Sequence, residues 1–326
     1  VDFQLTEDQA ALRDGIRSFC EGRVSIDQLR ELEKDGFDRS LWGELAEMGV
    51  FGLRQPESEG GVGLGMADAV LVFAELGRRL VPGPTLWSHL AAPLVEGAAS
   101  GDAVVGGLDR MRPSSDPILI EHLEHLDALL VLQPDGVFWI DPQQIAGEPV
   151  ATPLDPLTPV HLVASLPEGE RLGDGALAAR LRLEGGALAA GMLLGIAEMT
   201  QELAVDYAKK REQFNRPIGG FQAIKHILAD CFVRQEVARA AVYAAGATFD
   251  QPEVGSLERA VAAAKLNAGE AAMKNARACI QVHGGMGYTW EVPAHYYLKR
   301  VWVLENVFGS VEEHAEVIAD RLGEGG

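Results

Sequence analysis

The chain has 326 residues, 47% hydrophobic and 23% charged, enough for two or three domains with real cores and unlike a fibrous or disordered polypeptide. Lys plus Arg number 28 against 48 Asp plus Glu, and the formal charge of −20 argues against nonspecific binding to nucleic acid or an anionic membrane. Cys20, Cys231 and Cys279 lie far apart without CxxC spacing, so neither a zinc knuckle nor a disulfide framework is indicated. With no apolar run of about 18 residues, and an opening on Asp2, Glu7 and Asp8 instead of a basic then apolar leader, a soluble cytoplasmic chain with no membrane partner is expected.

A first helix is predicted to start at Thr6, which can cap the N–H of Gln9 while Gln9 reaches back, and Leu12, Ile16 and Phe19 follow at helical spacing. A second covers Leu41–Met48 and ends near Gly49, and Gly60-Gly61-Val62-Gly63 reads as a loop. A third runs from Met66 to Arg79 and is broken by Val81-Pro82-Gly83-Pro84. Between Ser100 and Gly175, short apolar runs at Ala128–Leu132, Val137–Ile140 and Val160–Ala164 replace helical periods, with Pro134-Asp135-Gly136 as a turn.

Long helical periods then return. Leu188, Met192, Ile196, Met199, Leu203 and Tyr207 form one stripe, and Phe221, Ile224, Leu228 and Phe232 form another after the Pro217–Gly220 interruption. An alanine-rich helix over Ser256–Val282 carries nine alanines and stops at Gly284-Gly285. Shorter helices follow over Pro293–Leu304 and Val311–Leu322. The expected fold is mainly α: an N-terminal helical domain (1–98), a reduced β-rich middle domain (99–176) and a C-terminal four-helix-bundle-like domain (177–326).

Two segments carry recognisable chemistry. Arg211-Glu212-Gln213-Phe214-Asn215-Arg216-Pro217-Ile218-Gly219-Gly220-Phe221-Gln222 sets a rigid cation, an aromatic ring and a side-chain amide around a turn between helices, which suits a pyrophosphate and an adenine ring. Residues 205–240 hold seven Lys or Arg against four Asp or Glu, a local +3 in a −20 chain; a merely solvated charged face is the plain alternative. In Gln281-Val282-His283-Gly284-Gly285-Met286-Gly287-Tyr288, adjacent glycines at a helix end let a ligand or backbone approach without a Cβ, although an ordinary glycine-terminated helix looks the same. His122 and His125 have no third ligand nearby in sequence, so no metal site is expected.

Taken in order, these segments resemble the acyl-CoA dehydrogenase family, as do the Phe3–Gln9 opening, Met48-Gly49-Val50-Phe51-Gly52-Leu53, Pro56-Glu57 and Gly60–Gly63. The resemblance implies that Arg211, Phe214 and Gln222, with Gln281, Val282, Gly284 and Gly285, hold the ADP half of an FAD bound mainly by a neighbouring subunit. It also implies that a carboxylate abstracts the α proton of an acyl-CoA while hydride leaves the β carbon for the flavin. Trp42 and Trp87 could border an acyl tunnel, with core packing the better expectation.

The chain departs from the family pattern in two places. Aligning Lys299-Arg300 with the family's last basic pair puts Phe308, which cannot accept a proton, where the usual base stands. Glu305 and Glu312 are each about one helical turn away, about 5 Å. Where some members carry the base on the first helix of the C-terminal domain, this chain has Gly185, and the adjacent Glu184 is rotated by about 100°. The middle domain lacks the Thr-Glu-Pro segment that supports the flavin ring, and Trp139 reads as buried strand packing.

The combination resembles the short non-catalytic subunit of α2β2 acyl-CoA dehydrogenases of steroid side-chain degradation. The implied partners are a longer subunit carrying the catalytic Glu, an acyl-CoA and an electron-transfer flavoprotein. Two other readings stay open: an autonomous homotetrameric dehydrogenase using Glu184 or Glu305, and a non-enzymatic acyl-CoA-binding or scaffolding protein.

Overall fold

The computed structural model describes residues 4–112 and 117–323; Asp2 and Phe3 of the sequence opening lie outside them. Helices α1 (Glu7–Arg23), α2 (Ile26–Leu32), α3 (Arg39–Glu47), α4 (Met66–Arg78) and α5 (Thr85–Ala91) precede the strands. The capping box at α1 forms as expected, with Gln9 N–H donating to Thr6 Oγ1 at 3.1 Å and Thr6 N–H to Gln9 Oε1 at 3.2 Å. Helix α3 is capped by Asp38 and followed by Gly49 at φ +76°. Helices α2 and α5 are additions to the reading above. Every residue of α5 is buried, so it has no polar face whose repeat could announce it.

The strands form two small sheets. One has the order β1 (Val105–Asp109), β3 (Ala128–Gln133), β4 (Gly136–Ile140), β7 (Glu170–Asp174), with β1 parallel to β3 and the other pairs antiparallel. The other is antiparallel, in the order β2 (Ile118–Glu121), β6 (Val160–Val163), β5 (Gly147–Pro149). Strand β3 lies between β1 and β4, and its apolar run Ala128–Leu132 is wholly buried. Trp139 is half-buried on β4, opposite Leu130 and Glu170, and is not the fully buried residue expected.

Helix α6 (Gly175–Lys210) leaves β7 directly and runs for 36 residues, starting well before the Leu188 stripe. It is the one helix among the described residues long and apolar enough to cross a membrane by length and composition, with 72% of the qualifying window buried inside the protein. Strands β8 (Glu212–Gln213) and β9 (Arg216–Pro217) form a minimal hairpin, followed by α7 (Gln222–Asp250), α8 (Leu257–His283), α9 (Ala294–Leu304) and α10 (Val311–Gly323).

Contacts gather the chain into two compact units that cut across chain order. One comprises Val1–Ile26, Val70–Val81 and Ala187–Gly326; the other comprises Asp27–Ala69 and Pro82–Gly186. In the first, Arg78 (5% exposed) joins Glu75, Glu198 and Glu202, and Arg239 joins Glu198 and Glu236. In the second, Trp42 stacks on Phe51 at 4.3 Å, and Trp87 fills space that a side chain at Gly107 of β1 would occupy. Both tryptophans are buried.

Candidate functional site

The Arg211–Gln222 segment is shaped by a hairpin whose two turn residues, Phe214 and Asn215, have φ of +53° and +62°. Two consecutive left-handed residues are the signature of the tight turn that matches strand twist. Asparagine tolerates this conformation, whereas for a bulky side chain it is strained. The Phe214 ring stands out from the hairpin, 86% exposed, with Phe221 edge-on at 6.1 Å. Arg216 lies 4.0 Å over the Phe221 ring, a cation–π contact that fixes the base of the hairpin.

Arg211 follows the end of α6. Its N–H donates to Tyr207 O and its carbonyl accepts from Ile218 N–H, both at 2.8 Å, while its guanidinium is exposed and makes no hydrogen bond or ion pair among the described residues. Gln222, the first residue of α7, is likewise exposed, with an amide that makes no hydrogen bond among the described residues. The +3 island is smaller on the surface than the composition implies: Arg239 belongs to the ion network, and Arg234 contacts Asn275 and Cys231.

The second segment sits on the same core. Ala204 and Ala208 of α6, Cys279, Ile280 and Val282 of α8 and Ala294 of α9 form one cluster, against which Ile218 and Ile224 pack. Tyr207 stacks on His283 at 4.2 Å, which ties the end of α6 to the end of α8. His283 Nδ1 donates to Cys279 O at 2.8 Å, and burial lowers its pKa, so it is neutral at pH 7 with Nε2 as an acceptor. His283 follows Cys279 by one helical turn, and that spacing is the one local sign of their contact in the sequence.

Gln281 is exposed and its amide makes no hydrogen bond among the described residues, while Val282 turns its side chain into the core at 5% exposure and can offer a ligand only its backbone. Gly284 has φ +60°, and a Cβ added at Gly284 or Gly285 would meet nothing within 4 Å, so open space lies over both. The packed glycine is Gly287, where a Cβ would come 2.6 Å from Ile280 O. The arrangement offers a cation, two side-chain amides, an exposed ring and bare glycine backbone, a set suited to a polyanion bearing an aromatic group.

The two candidate base regions look different. Phe308 is 2% exposed, with φ +59°, in the loop between α9 and α10. Glu305 ends α9 half-buried, and Glu312 is exposed in the first turn of α10. Glu184 is 6% exposed and accepts from Arg54 Nη1 at 2.9 Å, Arg54 Nη2 at 3.2 Å and Arg180 Nε at 2.9 Å. Burial alone would raise its pKa, but the two guanidinium groups outweigh that and hold it below the ordinary carboxylate value. A carboxylate so engaged is a poor proton acceptor. Among the described residues no group of three or more His, Cys, Asp or Glu is placed to hold a metal ion.

Comparison with known proteins agrees with this architecture. The chain is 36% identical to the acyl-CoA dehydrogenase IpdE2 of Mycobacterium tuberculosis over 275 residues, 81% of each chain. It is 32% identical to the acyl-CoA dehydrogenase FadE34 of the same organism, covering 91% of this chain and 45% of FadE34, so it spans about half of that protein. Among solved structures, the ChsE4-ChsE5 complex from Mycobacterium tuberculosis superposes with a TM-score of 0.87 at 25% identity, covering 100% of each chain. Residues 6–100 match the acyl-CoA dehydrogenase N-terminal domain and residues 173–323 the C-terminal domain. The chain belongs to the acyl-CoA dehydrogenase family.

Proposed function

We propose that this chain is a subunit of an FAD-dependent acyl-CoA dehydrogenase that completes the ADP half of a longer partner's flavin site and leaves proton abstraction to that partner's glutamate. The observation that carries this reading is the contrast between an uncommitted Arg211, Gln222 and Gln281 beside bare Gly284-Gly285 and a buried Phe308 at the base position. The donors fit the ADP half of the cofactor. Arg211 would pair with pyrophosphate oxygens, the Gln222 and Gln281 amides would donate to polar edges, and Phe214 would cover the adenine ring.

Bound flavin supplies the hydride acceptor for α,β-dehydrogenation of the thioester. This chain's own residues bind and orient it; Phe308 has no group to take the α proton, the Glu184 carboxylate is engaged by two arginines, and Glu305 stands one helical turn from the base position. The heteromeric ChsE4-ChsE5 likeness supports a paired subunit. An acyl-CoA, of the steroid side-chain class that the resemblance implies, is the proposed substrate, with an electron-transfer flavoprotein as oxidant.

The test is co-purification with a longer dehydrogenase subunit encoded nearby, with flavin read by absorbance. Arg211→Ala and Gln281→Ala are expected to lower the flavin content of the complex about tenfold in affinity, roughly 1.4 kcal/mol. Unchanged flavin content in both variants, or strong flavin absorbance and turnover by the lone chain, overturns the reading.

A further inference from the structure

The second compact unit contains a cavity of about 260 Å³ with an apolar wall that includes Phe51, Leu90, Pro93 and Leu181. Leu177, Arg180, Leu181 and Glu184 line it as one stripe of α6, stepping by three and four residues. Arg54 and Arg180 both reach Glu184, so two cations share one buried carboxylate. Each guanidinium has five N–H donors. Arg54 spends two on Glu184 and Arg180 one, and the rest find no acceptor among the described residues. Glu59 also lines the cavity but is exposed and pairs with neither arginine. His89, a fully buried part of the lining, adds no charge: its Nδ1–H donates to Val50 O at 2.9 Å, and burial pushes its pKa down to about 4.

A carboxylate can accept from two guanidinium groups, and Glu184 does so while using only three of their ten N–H donors. In formal charge the two arginines are balanced by Glu184 and Glu59, so what favours a further anion is the spare N–H donors of Arg54, the less exposed of the two, beside a partly desolvated space. The side chain of Arg180 is 69% exposed and so can follow an incoming ligand, whereas that of Arg54 is 22% exposed and is held in place. We propose that this cavity binds the carboxylate end of a small organic acid, with Arg54 and Arg180 as its charge partners and the apolar wall taking its hydrocarbon body. The volume falls below the roughly 300 Å³ at which drug-sized pockets begin, which sets the ligand at the scale of a six-carbon acid. The assignment uses none of the flavin-contacting residues and does not rest on the subunit reading.

The purified chain is titrated with sodium hexanoate and, in parallel, hexan-1-ol, with binding followed by ligand-observed NMR. Hexanoate is expected to bind about tenfold more tightly than the alcohol, the worth of one charge-assisted contact. Arg180→Gln, a change at a largely exposed side chain that should leave the fold intact, removes that preference. Glu184→Gln strengthens hexanoate binding, because the internal carboxylate competing for Arg54 is gone; a purely structural ion pair would give no such gain. Adipoyl-CoA against hexanoyl-CoA repeats the comparison for a carboxylate on a thioester tail, and an Arg180-dependent preference there with indifferent hexanoate assigns the anion to that source. No carboxylate preference in either pair, or a preference unmoved in both variants, overturns the proposal.

Discussion

Lys265 and Val307 are joined by a 2.7 Å hydrogen bond from a buried ammonium to a backbone carbonyl, and the same ammonium donates to the carbonyls of Leu304 at 2.9 Å and Glu305 at 3.2 Å. The last carbonyls of a helix have no partner within it, and a cation there is favoured by the helix dipole. Lys265 of α8 therefore terminates α9 and sets the loop that holds Phe308.

Removing the Lys265 ammonium strands these buried acceptors. Lys265→Met is expected to lower the free energy of unfolding by about 3 kcal/mol, since hydrogen bonds to charged groups are among the stronger ones and the three are not additive. Urea denaturation measures it, and a loss within experimental error would mean that the loop is held by other contacts.

A second prediction concerns the approach of α4 to α6. A Cβ at Gly195 would lie 1.8 Å from Ala74 O, one at Gly77 2.1 Å from Met192 O, and one at Gly191 2.8 Å from Val70 O. The obstacles are backbone atoms, which no rotamer change can move. Gly195→Ala should cost about 3 kcal/mol by forcing the helices apart. Gly255→Ala, at a position with nothing within 4 Å and extended backbone, should change stability by no more than about 0.5 kcal/mol. Equal denaturation midpoints for the two variants would contradict the packing.

These contacts also show what could be read from residues alone. The Thr6–Gln9 box, the alanine-rich α8 and the Leu188–Tyr207 stripe were legible because each writes a local spacing into the chain. Helix α5 was not, because burial on all sides leaves no polar face, and β7 was not, because Glu170-Arg171-Leu172-Gly173-Asp174 is a polar strand. Of the candidate site, Arg211, Gln222 and Gln281 were legible by residue type and are exposed. The burial of Val282 and the inward turn of Arg239 depend on neighbours that are distant in sequence. The Arg54–Glu184 pair joins residues 130 positions apart, and nothing local to either one marks it.

Phe308 tests whether the proposed lack of a base is a matter of one side chain. Phe308→Glu places a carboxylate at a site 2% exposed in the wild type, so stability should fall by about 3 kcal/mol. Because the lone chain also lacks the flavin-ring segment in its middle domain, it should show no acyl-CoA dehydrogenation after the change. Turnover by the lone Phe308→Glu chain, assayed with an artificial electron acceptor, would mean that only the carboxylate is missing.

The last prediction is a pH dependence. His89 is fully buried, and its pKa falls from 6.5 to about 4 because desolvation disfavours the imidazolium more than the Val50 carbonyl favours it. Above pH 6.5 both folded and unfolded chains hold this residue neutral, and it contributes no slope. As pH falls below 6.5 the unfolded chain binds a proton that the folded chain refuses, so stability declines and the loss is complete near pH 4. At about 1.4 kcal/mol per pH unit this single residue accounts for roughly 3 kcal/mol. His283 is shifted in the same direction and adds to the wild-type slope, while Glu184, held low by its arginines, begins to contribute only below about pH 4.5, also toward instability in acid. A variant therefore isolates His89. His89→Gln keeps a donor for Val50 O and removes the titration, so its unfolding free energy should vary less between pH 6.5 and 4.5 than that of the wild type, measured by urea denaturation at each pH. Parallel profiles would show that His89 takes up its proton in the folded chain after all.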